Sequence, residues 1–225
     1  MKETTILFQG DSITDGLREK NRDRAWDLNH QMGHGYAFLV NARWGAQYPE
    51  RRFAFINRGI SGNRIADLYG RWQEDTVNLR PDVLSILVGI NDVGFTMWEQ
   101  SGSGPERFGR IYQLLLDEAR AANPALLPVL MEPFVMPVGD RKASYQEWLS
   151  LLRPLQEQTR LIAERNGAIF IPLQERFNAL CQVREASYWV WDGIHPTVSG
   201  HQVIADAWME AVGPALGLTD HERKD

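Results

Sequence analysis

Residues 83–92 read VLSILVGIND, a run of small and apolar residues followed at once by a glycine and then by polar residues. The run lacks strict alternation of apolar and polar side chains, which is typical of a strand buried on both faces of a parallel sheet. Open parallel sheets bind their ligands outside the carboxyl ends of their strands. This stretch therefore predicts a parallel strand that ends in a candidate functional segment.

Segments of the same character make a set of five predicted strands: Thr5–Gln9, Phe53–Asn57, Val83–Val88, Leu127–Met131 and Ala168–Ile171. Between them apolar residues recur at helical spacing, and Ser144 and Ser199 are predicted to cap two of these helices in Ser-x-x-Glu and Ser-x-x-Gln boxes. Strands that alternate with helices form right-handed βαβ units. The pattern predicts one α/β domain over residues 1–225, with Leu17–Met32 and Met97–Gly104 as long loops.

The composition limits the class of protein. The 225 residues carry 24 Lys+Arg against 29 Asp+Glu, a net charge of −5, whereas a nucleic-acid binder should present a basic face. The single cysteine, Cys181, excludes an intramolecular disulfide and a cysteine-rich metal site. No apolar run approaches the roughly 20 residues of a membrane span, and the first one is too short for a signal peptide. We therefore expect a soluble, cytoplasmic protein that binds neither nucleic acid nor membrane.

Polar clusters follow the first three predicted strands, and a fourth lies near the C-terminus. They are Gly10-Asp11-Ser12, Gly59–Asn63, Gly89–Asp92 and Asp192–His195. A serine hydroxyl becomes a nucleophile when a base takes its proton, and a third group must fix the tautomer of that base. Ser12, His195 and Asp192 are the candidates for nucleophile, base and orienting carboxylate.

Acyl transfer also needs hydrogen-bond donors for the negative charge that develops on the substrate oxygen. The candidates are the Ser12 amide at a predicted helix start, the Gly62 amide and the Asn91 side chain. Each donor of this kind contributes about 3 kcal/mol in the transition state. Together the clusters predict ester or acyl hydrolysis at one edge of the sheet.

The four clusters resemble conserved blocks of the SGNH hydrolases, also called the GDSL esterase/lipase family. Gly10-Asp11-Ser12-Ile13 resembles the first block, with isoleucine in place of the usual leucine. Gly59-x-x-Gly62, Gly89-x-Asn91-Asp92 and Asp192-x-x-His195 resemble the second, third and fifth blocks. The resemblance implies a flavodoxin-like three-layer α/β/α sandwich with a five-stranded parallel sheet.

The same resemblance implies roles for individual residues and no cofactor. Ser12, Asp192 and His195 would form the catalytic triad, and Ser12, Gly62 and Asn91 would form the oxyanion hole. The substrate would be a small-molecule ester, hydrolysed without a metal ion or an organic cofactor.

Within the family, several stretches are similar to bacterial SGNH acetyl-xylan esterases: Gly35-Tyr36, Asn57–Asn63, Arg71–Asp75 and Gly89–Val93. This similarity implies removal of acetyl groups from carbohydrates such as acetylated xylo-oligosaccharides. Aromatic side chains near such a site can stack on sugar rings. We therefore expect substrate binding by Trp98, Trp189 and Trp191, and also by Asp11.

Three other interpretations remain at this point. The chain could be a broad-specificity short-chain esterase or thioesterase, or a carbohydrate-binding module that has lost catalysis. A two-metal phosphohydrolase would instead use five possible ligands: Asp11, Asp15, Asn91, Asp92 and His195. A homo-oligomer that uses the segment Leu216–Asp225 is a further expectation. His201 is expected to be a surface or structural histidine.

Overall fold

A single sheet organises the protein in a computed structural model that describes residues 3–24 and 26–218. Its strands are β1 (Thr4–Gly10), β2 (Phe53–Asn57), β3 (Val83–Leu87), β4 (Leu127–Met131) and β5 (Ile169–Ile171). All neighbouring strands pair in parallel, in the order β2-β1-β3-β4-β5. This is the flavodoxin-like order, in which the chain reverses its direction of winding between β1 and β3.

Helices cover both faces of the sheet. They are α1 (Ser12–Asp15), α2 (Leu28–Gln31), α3 (Tyr36–Gln47), α4 (Ile65–Gly70), α5 (Trp72–Asp75), α6 (Ile90–Glu99), α7 (Pro105–Ala122), α8 (Tyr145–Arg165), α9 (Gln174–Leu180), α10 (Ala186–Trp189) and α11 (Val198–Val212). Helix α3 packs against α11, while α4 packs against α7 and α7 against α8. Within the described residues, no helix is both long and apolar enough to cross a membrane.

An aromatic cluster joins β1 to the α3–α11 layer. Phe8 of β1 contacts Tyr36 and Trp208, with ring centroids 5.7 and 5.3 Å apart, and Trp44 lies 5.0 Å from Trp208. The Trp208 indole N–H donates to the Ser85 hydroxyl at 3.0 Å, so its one polar atom is satisfied inside the core. This packing fixes α3 and α11 on β1 and β3, the two strands at the reversal point.

The predicted fold is confirmed, and the five predicted strands agree with the observed ones to within one residue at each end. Helix α6 runs to Glu99, so the loop predicted from Met97 begins later. The predicted cap at Ser199 is wrong, because α11 begins at Val198 and Thr197 caps it. Residues 219–225 of the C-terminal segment proposed for oligomer contacts lie outside the described residues.

Candidate active site

Ser12 is the first residue of α1 and follows β1 almost directly. The preceding Asp11 caps the helix, and its Oδ1 accepts a hydrogen bond from the Ile13 amide at 3.0 Å. Gly10 has φ of +155°, and a Cβ at this position would collide with the carbonyl oxygen of Leu87. Only glycine allows so sharp a turn from strand to helix. The turn leaves Ser12 partly exposed at the carboxyl end of the sheet.

The structure brings Ser12 into contact with His195, which lies 183 residues further along the chain. Ser12 Oγ is 2.8 Å from His195 Nε2, and His195 Nδ1 is 2.7 Å from Asp192 Oδ2. The other carboxylate oxygen, Asp192 Oδ1, accepts the amides of Ile194 at 2.9 Å and His195 at 2.8 Å. The three predicted side chains thus form one continuous line of hydrogen-bonding contacts.

The surroundings of Asp192 keep its carboxylate ionised. Partial burial by itself would raise the pKa of this carboxyl group, but the hydrogen bonds from the His195 ring and from the two amides outweigh it and lower the pKa to about 2. In the neutral imidazole, an ionised acceptor beside Nδ1 favours the proton on that nitrogen, which leaves Nε2 to accept the Ser12 proton.

Backbone contacts close the loop that carries Asp192 and His195. Val190 and Pro196 form an isolated antiparallel bridge across the base of the loop, and the Trp191 amide donates to the His195 carbonyl at 3.0 Å. The Met136 amide, in the segment after β4, donates to the Gly193 carbonyl at 2.8 Å. The loop is therefore held against the sheet edge although it belongs to no helix or strand.

Gly62 and Asn91 follow β2 and β3, the two strands that flank β1. Gly62 is exposed with φ of +83°, and a Cβ there would meet no atom within 4 Å. The Asn91 side chain is partly exposed, and its Nδ2 donates to the Asn63 carbonyl at 3.1 Å. This bond ties the two segments together at the carboxyl edge that also carries Ser12.

Asp11 is buried, whereas the sequence predicts a substrate contact for it. Its side chain is only 1% exposed, which argues against direct contact with substrate, and substrate binding by Asp11 stays a prediction. The adjacent serine points to the site, while Asp11 turns inward to cap α1. Burial raises the pKa of Asp11 to about 7, and the Ile13 amide and the nearby His195 only partly oppose that shift.

Of the three predicted tryptophans, Trp191 is the one that the described contacts place at the site. Its indole stacks on the His195 ring at 5.4 Å between centroids and remains 61% exposed. Trp98 is 65% exposed and packs its ring edge-on against Trp148. Trp189 packs against Tyr188 and donates to a backbone carbonyl. Substrate contacts of Trp98 and Trp189 therefore stay predictions.

Two polar side chains to which the sequence gives no role, the buried Asn57 and the partly buried Arg71, hold together the segments around the serine turn. Asn57 Nδ2 donates to the Thr14 carbonyl at 2.7 Å, while Asn57 Oδ1 accepts the Gly59 amide at 2.8 Å. Arg71 Nε donates to Asn63 Oδ1 at 2.7 Å. An asparagine at a strand end and a single arginine in a helical segment have no spacing that would reveal such roles.

The carboxylates considered as metal ligands are engaged elsewhere. Asp15 Oδ2 pairs with Lys20 at 2.6 Å and accepts the Ser61 amide. Asp92 accepts the amides of Ile65 and Ser103 at 2.9 and 3.1 Å. Among the residues that the structure describes, no group of three or more His, Cys, Asp or Glu side chains is placed to hold a metal ion.

Comparison with known proteins identifies the family. Residues 8–203 match the sequence profile of the GDSL-like Lipase/Acylhydrolase family. The chain belongs to this family. As a GDSL acylhydrolase it is an ester hydrolase, and the resemblance given by its four sequence blocks is confirmed.

Relatives of this GDSL hydrolase match it over nearly their whole length. Acetylxylan esterase from Geobacillus stearothermophilus is 32% identical over 217 residues, which are 92% of this chain and 93% of that protein. A crystal structure described as a GDSL-like lipase from Parabacteroides merdae superposes with a TM-score of 0.86 at 34% identity, covering 93% and 95% of the two chains. Axe2, the acetylxylan esterase of G. stearothermophilus, superposes with a TM-score of 0.80 at 29% identity, covering 93% and 94%. Its structures include catalytic mutants in which a serine or an aspartate is replaced by alanine.

His201 of this GDSL hydrolase is a buried, structural histidine behind the site. Its Nδ1 accepts the Tyr36 amide at 3.2 Å, which requires that nitrogen to be unprotonated. Burial, together with the nearby His34 and His195, lowers the pKa of His201 to about 4 from an ordinary 6.5. Between these two values the unfolded chain binds a proton at His201 that the folded chain does not.

We expect His201 to make folding sensitive to acid. Its contribution to the free energy of unfolding is fully present above about pH 6.5 and is lost as the pH falls toward 4, because the unfolded state binds more protons in this window. Urea unfolding should show that the wild type loses about 2 kcal/mol more stability than His201→Asn between about pH 7 and 4.5. Equal losses in the two proteins would contradict the assignment.

The comparison between the two proteins is necessary because other buried groups titrate in the same range. Burial raises the pKa of Asp11 to about 7 and that of Asp92 to about 6, so both carboxyl groups favour the folded state increasingly as the pH falls. Their effect has the opposite sign to that of His201 and is present in the wild type and in the variant. The difference between the two unfolding curves therefore isolates the histidine.

Proposed function

We propose that this chain is a serine esterase that removes acetyl groups from small acetylated carbohydrates such as xylo-oligosaccharides. The observation that carries the proposal is the line of contacts from Ser12 Oγ to His195 Nε2 and from His195 Nδ1 to Asp192, at 2.8 and 2.7 Å. A hydroxyl, an imidazole and a carboxylate in this order are the parts that activate a serine nucleophile.

Acylation begins with Ser12. As Ser12 Oγ attacks the ester carbonyl carbon, His195 Nε2 takes the hydroxyl proton, and Asp192 stabilises the imidazolium that forms. The carbonyl π bond opens to a tetrahedral oxyanion. When the intermediate collapses, the bond to the sugar oxygen breaks, and His195 returns its proton to that oxygen. The acetyl group is then attached to Ser12.

The oxyanion is held by three N–H donors from three different segments. The Ser12 amide lies at the first residue of α1, and the Gly62 amide lies in an exposed turn. Asn91 Nδ2 carries two N–H groups, of which one donates to the Asn63 carbonyl and fixes the side chain. The second N–H is then available to the oxyanion. Donors preorganised in this way act without a cost of reorganisation during the reaction.

Deacylation uses the same groups in reverse. His195 takes a proton from a water molecule as the water oxygen attacks the acetyl carbonyl, and the same donors hold the second oxyanion. Collapse of this intermediate breaks the bond to Ser12 Oγ, and His195 returns the proton to the serine. The products are acetate and a regenerated hydroxyl, so no cofactor is consumed.

Two observations support a sugar ester as substrate. The relatives described above include an acetylxylan esterase whose alignment covers 92% of this chain at 32% identity. In addition, Trp191 stacks one face of its indole on His195 and leaves much of its surface open beside the reacting groups. An exposed aromatic face at this position can pack on the ring of a bound sugar.

Covalent labelling tests the nucleophile. A fluorophosphonate probe should add to one residue of the wild-type protein, and peptide mapping should place the adduct on Ser12. Ser12→Ala should remain folded and unlabelled. Ser187→Ala, which removes an exposed serine of α10, should label like the wild type. Labelling of folded Ser12→Ala at the wild-type rate would exclude Ser12 as the nucleophile.

A substrate series tests the acyl and alcohol preference with the wild-type protein. We expect kcat/KM to be higher for acetylated xylo-oligosaccharides than for aryl acetate, aryl octanoate and acetyl thioester. Equal rates on all acetyl compounds would indicate a broad short-chain esterase or thioesterase instead. Sugar binding that persists without turnover or labelling would indicate a binding module.

A further inference from the structure

The loop that carries Asp192 and His195 is held by a cation that the mechanism above does not use. Arg141 lies in a single 3-10 turn, Gly139–Lys142, between β4 and α8. Its Nη1 donates to the Asp192 carbonyl oxygen at 2.8 Å. The same nitrogen is 3.9 Å from Asp192 Oδ2, the carboxylate oxygen that contacts the His195 ring. One guanidinium therefore contacts both the backbone carbonyl and the carboxylate of this aspartate.

Packing holds the Arg141 side chain in this position. Gly193, with φ of +94°, lies directly under its stem, and a Cβ there would be 2.8 Å from Arg141 Cδ and 2.7 Å from the Met136 carbonyl oxygen. The guanidinium carbon lies 5.2 Å from the centre of the Trp148 ring, within the range of a cation–π contact. The side chain is only 19% exposed, so solvent screens its charge less than that of a surface arginine.

Electrostatics give this cation two effects on the neighbouring pair. A positive charge beside Asp192 stabilises the ionised carboxylate, and it also opposes a second positive charge on the imidazole. Among the described residues, Asp11 and His201 of α11 also interact electrostatically with His195. An ionised Asp11 favours a positive ring, whereas a protonated His201 would oppose it. Arg141 acts on the ring through the carboxylate that orients it.

We propose that Arg141 is a positioning residue for ester hydrolysis: it fixes the Asp192 end of the loop and favours the ion state in which Asp192 is charged and His195 is neutral. The inference rests on the function proposed above, and it adds a residue outside the four sequence blocks. It also gives Gly193 a role, since a side chain at that position would displace the arginine stem.

Kinetics of neutral and charged variants test the proposal. Arg141→Met keeps an apolar stem over Gly193 and removes the charge, whereas Arg141→Lys keeps the charge and loses the planar fork. We expect Arg141→Met to lower kcat about tenfold with KM nearly unchanged, and to move the acidic limb of the kcat/KM profile about 0.5 pH unit higher. In Arg141→Lys the acidic limb should stay at its wild-type position. Lys142→Met, which removes an exposed cation from the same turn, should match the wild type.

If the acidic limb of the kcat/KM profile lies at the same pH in Arg141→Met as in the wild type, the proposal is overturned, whatever the change in kcat. If that variant does not fold, Arg141→Gln serves as the neutral variant and carries the same test. The limb is decisive because a loss of packing alone would lower the amount of active enzyme without shifting its pH profile.

A proton NMR measurement separates this proposal from the proposed function. The hydrogen bond between His195 Nδ1–H and Asp192 should give a low-field proton signal in the wild type and in Lys142→Met, and the signal should broaden or vanish in Arg141→Met. The signal requires no substrate. An unlabelled Ser12 would refute the esterase proposal, while an unchanged low-field signal in Arg141→Met would refute the role of Arg141.

Discussion

Replacing Asp192 with asparagine is expected to lower kcat for acetyl ester hydrolysis about 10³- to 10⁴-fold while the protein stays folded. The amide side chain has one oxygen and one NH₂ group in place of two acceptor oxygens. Two backbone amides, those of Ile194 and His195, already donate to Oδ1 in the wild type. In the variant, the asparagine oxygen must accept these two amides, so its NH₂ group takes the position of Oδ2 and faces His195 Nδ1.

An imidazole that faces a donor must accept at Nδ1, which places its proton on Nε2 toward Ser12. A protonated Nε2 cannot take the serine proton, so the geometry survives and the chemistry is lost. Steady-state kinetics with aryl acetate would measure the effect, with thermal unfolding as a check on folding. Asp117→Asn on α7, where the side chain only accepts from Gln113, is the matched control. A kcat for Asp192→Asn within tenfold of the wild type would refute the role given to this carboxylate.

Gly59→Ala is expected to lower the free energy of unfolding by about 3 kcal/mol and to reduce activity as well. A Cβ at Gly59 would lie 2.8 Å from the carbonyl carbon of Thr14 and closer still to the backbone of Asp15. These are backbone atoms of α1, so they cannot move aside as a flexible side chain would. The methyl group must push the loop after β2 away from the helix that carries Ser12.

Urea unfolding and esterase assays would measure both effects, and Gly70→Ala provides the control. Gly70 is the last residue of α4, and a Cβ there would meet no atom within 4 Å. Alanine is favoured over glycine in helices, so this variant should be as stable as the wild type or more stable by up to about 1 kcal/mol. If Gly59→Ala unfolded like Gly70→Ala, the close approach of the two backbones would be refuted.

The fold could be predicted because its strands are buried on both faces. Each appears in the sequence as a short apolar run, and the segments between them have helical spacing, so the order of elements was evident before any contact was known. The family resemblance implied a flavodoxin-like sandwich, whereas the apolar runs alone do not reveal which strands are neighbours in the observed β2-β1-β3-β4-β5 order. Local features at helix ends were less predictable.

The cap of α11 illustrates that limit. Ser199 and Gln202 have capping-box spacing, yet Thr197 is the N-cap and its Oγ1 accepts the Gly200 amide. The Thr197 hydroxyl also donates to the Tyr188 carbonyl at 2.7 Å. Thr197 is the cap because it bonds both to the start of the helix and to a neighbouring turn. The second bond depends on tertiary structure, about which sequence spacing gives no information.

Around the site, the sequence identified residue types but not the direction in which side chains point. Ser12, Asp192 and His195 were found because acyl transfer requires their chemistry and because four clusters occur together. Asp11 was assigned to substrate although it is buried, since adjacent positions on a tight turn face opposite ways. Arg141 gave no signal, because an arginine in an exposed-looking turn has no distinguishing neighbours in sequence.

The distance along the chain between Ser12 and His195 has a consequence during protein synthesis. A growing polypeptide contains the serine early, but it lacks the base until 183 further residues have been added. An incomplete chain therefore has no means of activating its serine against esters in the cell. Likewise, a break in the turn at residues 123–126, between α7 and β4, would leave the serine and the base on separate fragments. Esterase activity would then report directly on their reassembly.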